Sequence, residues 1–318
     1  MDHPRPQRVL VLIVPQVHLL DLSGPVQSFW EANGFGADYR LSYVSAAREA
    51  RSAQGLLLAG LEPLPDPRPE DLVLIPGMDS TSLDGLGRHV PAAWLRLAHE
   101  RGARLASVCS GAFVLARAGL LDGRACTTHW KVAARLQRDH PRARVLENRL
   151  FVRDEGIVTS AGVASGIDMA LSLLEEDHGP LLAARVAREM VVYIRRQGDR
   201  EQQSVFLDYR THLHPGVHRV QDWLVSRPDE RPTLEALAER AQMSVRNLTR
   251  VFRRETGISL KEFAHRVKLQ VARDLLRSPD LKVEAVASRC GFEDARQLRR
   301  LWREAYGSSV SDWRRAST

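Results

Sequence analysis

The sequence predicts an α/β sandwich of flavodoxin-like type with a mostly parallel sheet, followed by an all-α domain that carries two helix-turn-helix units. Three observations lead there. Strand-length apolar runs alternate with helical patterns through the first two-thirds of the 318 residues. Near the C-terminus one unit is written twice. A shift of 49 carries Ala236, Ala238 and Arg240 onto Ala285, Ala287 and Arg289, and a shift of 50 carries Leu248, Arg250, Phe252, Arg253, Gly257, Ser259 and Phe263 onto Leu298, Arg300, Trp302, Arg303, Gly307, Ser309 and Trp313. Charge divides at the same place. Residues 1–215 hold 25 Lys+Arg against 25 Asp+Glu and residues 216–318 hold 21 against 14, so the whole net charge of +7 lies in the last third. A neutral domain is joined to one with the footprint of a polyanion binder.

In order, the candidate strands are Val9–Val14, Arg40–Val44, Asp71–Ile75 and Arg104–Val108, and the candidate helices Pro25–Ala32, Val90–Arg101 and Gly111–Leu120. Leu72-Val73-Leu74-Ile75 is apolar throughout, as a sheet covered on both faces requires. The 44% hydrophobic and 27% charged content excludes a disordered chain. Val9–Val14 is only strand-length and lacks a following small-residue cleavage site, and no segment approaches the ~20 apolar residues of a membrane helix. A soluble, cytoplasmic protein without a membrane partner is expected. Cys109, Cys126 and Cys290 fit no metal spacing and make an odd count, so no disulfide is expected in a reducing compartment.

Sheets of this kind gather ligand sites beyond the carboxyl ends of their strands. Three segments should meet there: Leu20-Asp21-Leu22-Ser23-Gly24-Pro25, Pro76-Gly77-Met78-Asp79 and Cys109-Ser110-Gly111. Cys109 would stand at the apex of a sharp strand-to-helix turn. A helix N-terminus there is expected to lower the thiol pKa. The backbone N–H groups of Ser110 and Gly77 would form an oxyanion hole, Asp21 would partner the thiol or a ligand amine, and His129 would be the base. The competing reading makes Cys109 a small core hydrophobe. Cys126 in a strand and Cys290 in a helix read as packed thiols. Trp30 and Trp130 are candidates for an aromatic pocket wall, with a plain core role equally open.

The run Ser107-Val108-Cys109-Ser110-Gly111-Ala112-Phe113-Val114-Leu115-Ala116, with Gly119 to Gly123 and Thr127-Thr128-His129-Trp130, resembles the elbow region of the ThiJ/PfpI superfamily, which is related to class I glutamine amidotransferases. Leu20 to Pro25 and Ser160 to Asp168 match the subgroup that includes isonitrile hydratases, and the likeness runs from about Val9 to Arg195. It implies Cys109 as elbow cysteine, Asp21 as its acidic partner, and Gly77 and Ser110 as oxyanion donors. Asp21, Gly77, Met78, Cys109, Ser110 and His129 are therefore the expected ligand-binding set, and Cys109, Asp21 and His129 the candidates should the site be catalytic.

Residues 196–214 are polar and Gln-rich and end at proline, which reads as a linker between a domain of residues 1–195 and one of residues 215–318. His212, His214 and His218 lack cysteine or carboxylate partners at ligand spacing, so a solvated linker is favoured over a metal site, and no metal or cofactor is expected. Beyond the linker, Leu234, Leu237 and Ala241 form one apolar face, Ser244 caps the next helix, and Leu248, Val251 and Phe252 form its buried side. Arg246, Thr249, Arg250 and Arg253 stand opposite. In the second copy Val283, Val286 and Ala287 precede the turn, Leu298 and Trp302 follow it, and Arg296, Arg299, Arg300 and Arg303 face outward. Ser259-Leu260-Lys261-Glu262 reads as a capping box opening a long helix that holds the two readers about one turn of DNA apart.

Phe252-Arg253-Arg254-Glu255-Thr256-Gly257-Ile258-Ser259 and Val286-Ala287-Ser288-Arg289-Cys290-Gly291-Phe292 resemble the AraC/XylS family over His214 to Arg315. That likeness puts base contacts on Arg246, Thr249, Arg250, Arg296, Arg299 and Arg300, and phosphate contacts on Arg253 and Arg303. Fusions of the two families form the GlxA-like regulators, whose members tend to activate catabolic genes for small nitrogen compounds such as betaine, carnitine or arginine. The expectation is a DNA-binding transcription regulator, an activator, responding to an amine- or amide-containing metabolite. Double-stranded DNA, the effector, a second copy of the chain and RNA polymerase are the expected partners. A cysteine-dependent hydratase- or amidase-like enzyme carrying a DNA-binding domain, and a thiol redox sensor, are the alternatives.

Overall fold

The computed structural model of the chain describes residues 7–192, 196, 198, 202, 209–210, 212–276, 278 and 280–317. It falls into two compact units that divide after Gln202. The first is built on a six-stranded sheet, β1 (Gln7–Leu12), β2 (Tyr39–Val44), β5 (Leu72–Ile75), β6 (Arg104–Val108), β9 (Phe151–Asp154) and β10 (Ile157–Ser160) in the order β2-β1-β5-β6-β10-β9. Every neighbouring pair is parallel except β10 with β9. Successive side chains of a strand point to opposite faces. Val9 and Val11 accordingly enter one core with Phe29, Leu74 and Met169. Leu10 and Leu12 enter the other with Val73, Ile75, Leu95 and Phe113. Both faces are thus buried, which is why these strands have no polar alternation.

Helices α1 (Leu19–Asn33), α2 (Ala92–Glu100), α3 (Ala112–Arg117), α4 (Trp130–Asp139), α5 (Val163–His178) and α6 (Pro180–Glu189) complete the unit, with a hairpin of β3 (Glu49–Arg51) and β4 (Leu57–Ala59) and a short parallel pair, β7 (Ala125–Cys126) and β8 (Arg144–Val145). The sequence reading started the first helix at Pro25, but the helix begins six residues earlier and Pro25 lies inside it. Proline cannot donate to the Asp21 carbonyl one turn back. Tight packing compensates: a Cβ on Gly24 would come within 2.9 Å of Ile167, and one on Gly166 within 3.3 Å of Pro25. Asp21 therefore sits in the first turn of a helix, not in a loop.

The second unit is helical: α7 (Pro215–Ser226), α8 (Leu234–Ala241), α9 (Val245–Thr256), α10 (Leu260–Leu275), α11 (Val283–Arg289), α12 (Ala295–Tyr306) and α13 (Val310–Ser317). It holds two cores that share α10, with Phe263 and Val267 in the first and Leu269 and Ala272 in the second. The shift between copies is visible in the backbone. Gln242 (φ 57°) and Gly291 (φ 65°), 49 apart, take the same left-handed conformation. The caps Ser244 and Asp294, 50 apart, accept from the N–H groups of Asn247 and Gln297 at 3.3 and 2.7 Å. Ser259 caps α10 through the Glu262 N–H at 3.1 Å. The Gly291 carbonyl accepts from Lys268 Nζ at 2.7 Å and Arg231 Nε at 3.0 Å, which ties the turn of the second copy to the first.

The C-terminal end of the expected linker is packed. Tyr209 stacks edge-on against Phe263 at 6.0 Å, and His212 is 8% exposed, its ring 4.5 Å from that of His218. His214 caps α7 through the Val217 N–H at 3.4 Å. These histidines belong to the edge of the helical core, because capping and ring stacking use them better than solvent does. Residues 197, 199–201, 203–208 and 211 of that stretch lie outside the described residues. Among the described residues no group of three or more His, Cys, Asp or Glu is placed to hold a metal ion, and no helix is long and apolar enough to cross a membrane.

A Cβ on Gly111 would overlap the Ile75 carbonyl oxygen and lie 2.9 Å from that of Pro76, whereas one on Gly85 would meet nothing within 4 Å. Gly111→Ala is expected to destabilise the protein by about 1–3 kcal/mol or more, and Gly85→Ala by less than about 0.5 kcal/mol. Thermal unfolding of the two variants side by side checks this. Equal midpoints would mean that the backbone contact at Gly111 is not close.

Candidate functional site: a buried thiol–carboxyl pair and two arginine faces

Strand β6 ends at Val108, and Cys109 turns the chain at φ 54°, left-handed backbone that a side chain disfavours. Cys109 to Gly111 then form a single 3-10 turn before α3. Such a conformation persists where surrounding bonds over-determine it. Here the Thr128 hydroxyl donates to the Cys109 carbonyl at 2.7 Å. Next to it, the Ser110 hydroxyl donates to the Met78 carbonyl at 2.6 Å and accepts from the Met78 N–H at 2.8 Å. The loop after β5 is held from its other side by the His18 N–H, which donates to the Gly77 carbonyl at 2.8 Å.

Gly77 is the point of closest approach. A Cβ there would overlap the Asp21 carboxylate and lie 2.8 Å from Cys109 Cβ. The structure thus brings Asp21, Gly77 and Cys109 together, with Ser110 and Met78 adjoining. Asp21 is fully buried, and its carboxyl faces the Cys109 thiol and His18, with no backbone N–H bonded to it. His18 Nδ1 stands 3.6 Å from it. Burial raises the Asp21 pKa, and the nearby His18 offsets only part of that rise.

The thiol departs from expectation. Its pKa is not lowered by a helix N-terminus but pushed up to about 12, first by burial and then by the Asp21 charge. The Ser110 backbone N–H works the other way. Helix α3 has six residues and begins three residues after the sulfur, so its field is weak at Cys109. Cys126 and Cys290 are buried with raised pKa values, as packed thiols are. Cys290 is the residue that ends α11 and not part of it.

His129 caps α4, its Nδ1 accepting from the Lys131 N–H at 3.3 Å, and it stacks on Trp130 at 5.6 Å. Burial lowers its pKa. Among the described residues no hydrogen bond joins it to Cys109 or Asp21; it stands at the rim. Trp130 is half exposed beside it, while Trp30 is 63% exposed on α1 and lines neither described cavity. A cavity of about 370 Å³ adjoins the Gly77 turn, lined by Pro15, Gln16, Thr81, Ser82 and His89, and of the expected ligand residues only Met78 reaches it. Sequence reasoning missed His18, three residues before Asp21, and Thr128, which was quoted beside His129 without a role. The i, i+3 spacing of His18 and Asp21 was the available signal for the first.

In the second unit Arg246, Thr249, Arg250 and Arg253 are all exposed on α9, and Arg296, Arg299, Arg300 and Arg303 on α12. Buried opposite them are Leu248, Val251 and Phe252, and Leu298, Leu301 and Trp302. Each helix therefore anchors one side and offers the other. Arg299 pairs with Glu284 and Arg300 with Glu304, both at 2.8 Å, while Arg250 donates to the Asn247 side chain at 2.9 Å. Exposed pairs of this kind are worth about 0–1 kcal/mol, so a phosphate or base edge readily replaces them. Arg246, Arg253, Arg296 and Arg303 have no carboxylate partner among the described residues.

Residues 7–176 match the family model described as DJ-1/PfpI family, and residues 237–316 match a helix-turn-helix domain. The chain is 33% identical over 310 residues to the HTH-type transcriptional regulator CdhR of Pseudomonas aeruginosa, covering 94% of this chain and 89% of that one. It is 30% identical over 316 residues to the HTH-type transcriptional regulator GbdR of the same species, covering 97% and 84%. Among solved structures, a ThiJ/PfpI family protein from Pseudomonas syringae superposes with TM-score 0.52 at 24% identity over 60% of this chain and 77% of that one, which shows the fold.

Because the folded-state pKa of Asp21 is raised, its contribution to stability is fully present below the ordinary value of 3.8 and is lost as pH rises through the folded value. Asp21→Asn is therefore expected to melt higher than the wild type at pH 7, by about 2–4 °C for roughly 1 kcal/mol. The gap should close toward pH 3–4, and melting curves across that range test it. A constant offset at all pH values would mean that Asp21 titrates normally.

Proposed function

The chain belongs to the DJ-1/PfpI family, carries a C-terminal helix-turn-helix domain and is a DNA-binding transcription regulator, and from that premise we propose that its first unit senses a small metabolite at the Asp21–Cys109 elbow. The buried Asp21 carboxyl, which has only the Cys109 thiol and His18 beside it, carries this reading. A buried carboxylate with so few donors is costly, and a further donor or cation that reaches it recovers part of that cost. The rim of His18, Cys109, His129 and Trp130 suits a small amine or amide, whose N–H groups would bond the carboxyl and whose body would lie against the indole. Gly77, Met78 and Ser110 shape the floor. The names of the relatives and the neutral thiol favour sensing over catalysis. A nucleophilic cysteine needs its thiolate, and this pair of groups holds the proton on sulfur.

On the DNA side, α9 and α12 are the readers. Arg246, Thr249, Arg250, Arg296, Arg299 and Arg300 contact base edges in successive major grooves, and Arg253 and Arg303 contact phosphates. The Gly291 carbonyl contacts with Lys268 and Arg231 fix their spacing. The protein acts in the cytoplasm as a homodimer and as an activator that engages RNA polymerase. The exposed apolar side chains Tyr43 and Leu57, beside Leu22 and Val26 in a groove of about 530 Å³, favour self-association. The chain divides functionally into a sensor of residues 1–195, a connector of residues 196–214 and a DNA-binding domain of residues 215–318.

A thermal-shift screen of the full chain against small amines, amides and amino acids should find a ligand that raises the melting midpoint, by about 2.7 kcal/mol of added stability at 100 times its dissociation constant. Asp21→Ala and Cys109→Ala should each abolish that shift. An intact shift in both removes the effector from the elbow. Consumption of the ligand by the wild type, but not by Cys109→Ala, would make the protein an enzyme instead.

Arg250→Ala is expected to reduce discrimination between a duplex selected from a random library and its single-base variants by about 1–3 kcal/mol at one position. Arg253→Ala should weaken binding to all duplexes alike and lower the salt slope by about one. Competition binding at two salt concentrations separates the two patterns.

A further inference from the structure

Gln202, the last residue of the first unit, makes more polar contacts than a linker residue needs. Its Nε2 lies among four acceptors: the carbonyls of Thr128 at 2.8 Å, Glu147 at 2.9 Å and Arg149 at 3.1 Å, and the Thr127 hydroxyl at 3.2 Å. Its Oε1 accepts from the Trp130 N–H at 2.8 Å, and its own N–H donates to the Asn148 side chain at 3.0 Å. Only a carboxamide presents two donors and an acceptor on one short plane, so this cage selects glutamine by chemistry and length. A carboxylate would place an oxygen against three carbonyl oxygens, and alanine would leave them empty.

The cage is built from the turn that closes the elbow. Thr128, whose carbonyl accepts from Gln202, donates its hydroxyl to the Cys109 carbonyl. His129 and Trp130, at the rim, follow directly. Two further anchors lie just upstream. The Arg196 guanidinium and backbone N–H both bond the nearly buried Asp168 carboxylate, at 2.8–2.9 Å. The Gly198 carbonyl accepts from the Phe151 N–H of edge strand β9 at 3.1 Å, with no room for a Cβ. Helix α5, which carries Asp168, starts at Gly162 against His129 and passes Val108 at Gly166.

We infer that Gln202 is an autoinhibitory latch that holds the segment leading to the DNA-binding unit against the elbow turn, and that movement of Thr128 to Trp130 releases it. What drives the movement, an effector at the elbow, rests on the function proposed above; the latch itself does not. Docking has a mechanical consequence. With Gln202 seated, ten residue steps separate it from His212, a reach of at most about 35 Å, and freed back to Gly198 the reach becomes about 50 Å. The latched chain restricts where the readers can be carried, and release lifts the restriction. The latch requires that the Thr128 to Trp130 turn have a second arrangement in which Gln202 is not seated, as any switch does.

The test uses the full chain without effector, as wild type, Gln202→Glu and Gln202→Ala, and a duplex selected from a random library by the wild type. Both variants should bind the duplex at least about fivefold tighter, the lower range of coupling between linked sites. Amide exchange at Trp130 should accelerate, since its N–H loses its acceptor, while exchange in β1, β5 and β6 stays unchanged. Affinity equal to or weaker than that of the wild type overturns the latch, and so does unchanged exchange at Trp130. If the variants behave as wild type while the effector screen succeeds, the latch fails and the sensor stands. Tighter binding by the variants with no effector found has the reverse meaning.

Discussion

The first unit depends on the close approach of backbones at the end of β5 and β6. Gly77 and Gly111 let two loops and a helix start come within van der Waals distance of one another, and no other residue type fits at either place. Everything distinctive about the site follows from that contact. Asp21 is sealed because Gly77 lies on its carboxylate. Cys109 is forced into left-handed backbone because the chain must turn at once to avoid the β5 loop. The Ser110 and Thr128 hydroxyls are then required to hold a conformation that the sterics of cysteine oppose. Such sheets place their sites outside the carboxyl ends of the strands, and here the packing there leaves Asp21 buried and the Cys109 backbone strained.

The same packing explains which features the sequence revealed. Strands β1, β2, β5 and β6 were legible because burial on both faces demands unbroken apolar runs, and Leu72 to Ile75 offers no other reading. The helical repeat was legible because each copy must bury one face alone. What stayed hidden was set by tertiary context. Pro25 marks a helix start by its local chemistry, yet Ile167 and Gly166 hold the helix through it. Cys109 follows a helix-terminus rule by its position, but the rule assumes an accessible thiol. Burial and one carboxylate reverse its sign. Gln202 could not be found from composition, since a glutamine in a polar stretch looks solvated until its acceptors, drawn from residues 53 to 75 positions away, are in view.

The second unit applies a different principle, in which strength comes from duplication rather than from strain. Each copy buries a triad of apolar residues under an arginine face, and the shared helix α10 contributes to both cores, so neither copy can tilt without disturbing the other. The left-handed turn residue differs between copies, Gln242 in one and Gly291 in the other, for a reason visible in the packing. A Cβ on Gly291 would overlap the Asp229 carbonyl, while the turn at Gln242 has room for a side chain. The glycine is therefore the one through which the copies are joined. Its carbonyl collects the Lys268 and Arg231 donors. The spacing of the two arginine faces is thus a property of charged contacts to a backbone oxygen, less easily screened by salt than exposed ion pairs because Gly291 is buried and Lys268 half buried.

The Asp21–Cys109 pair is unsuited to nucleophilic catalysis, for a reason that fits the sensing role proposed above. Nucleophilic catalysis needs the sulfur charged at neutral pH, and a helix start or cationic neighbour usually supplies that. Placing a carboxylate against a buried thiol does the opposite. It leaves both groups of the pair with raised pKa values. That arrangement is poor at forming a bond to carbon. In the sensing proposed above, a ligand that supplies donors to the buried carboxyl would stabilise it relative to the ligand-free protein. Allosteric coupling requires such a difference between liganded and empty states. The elbow turn, bonded to Cys109 on one side through Thr128 and to Gln202 on the other, is the element through which that difference can be felt beyond the pocket.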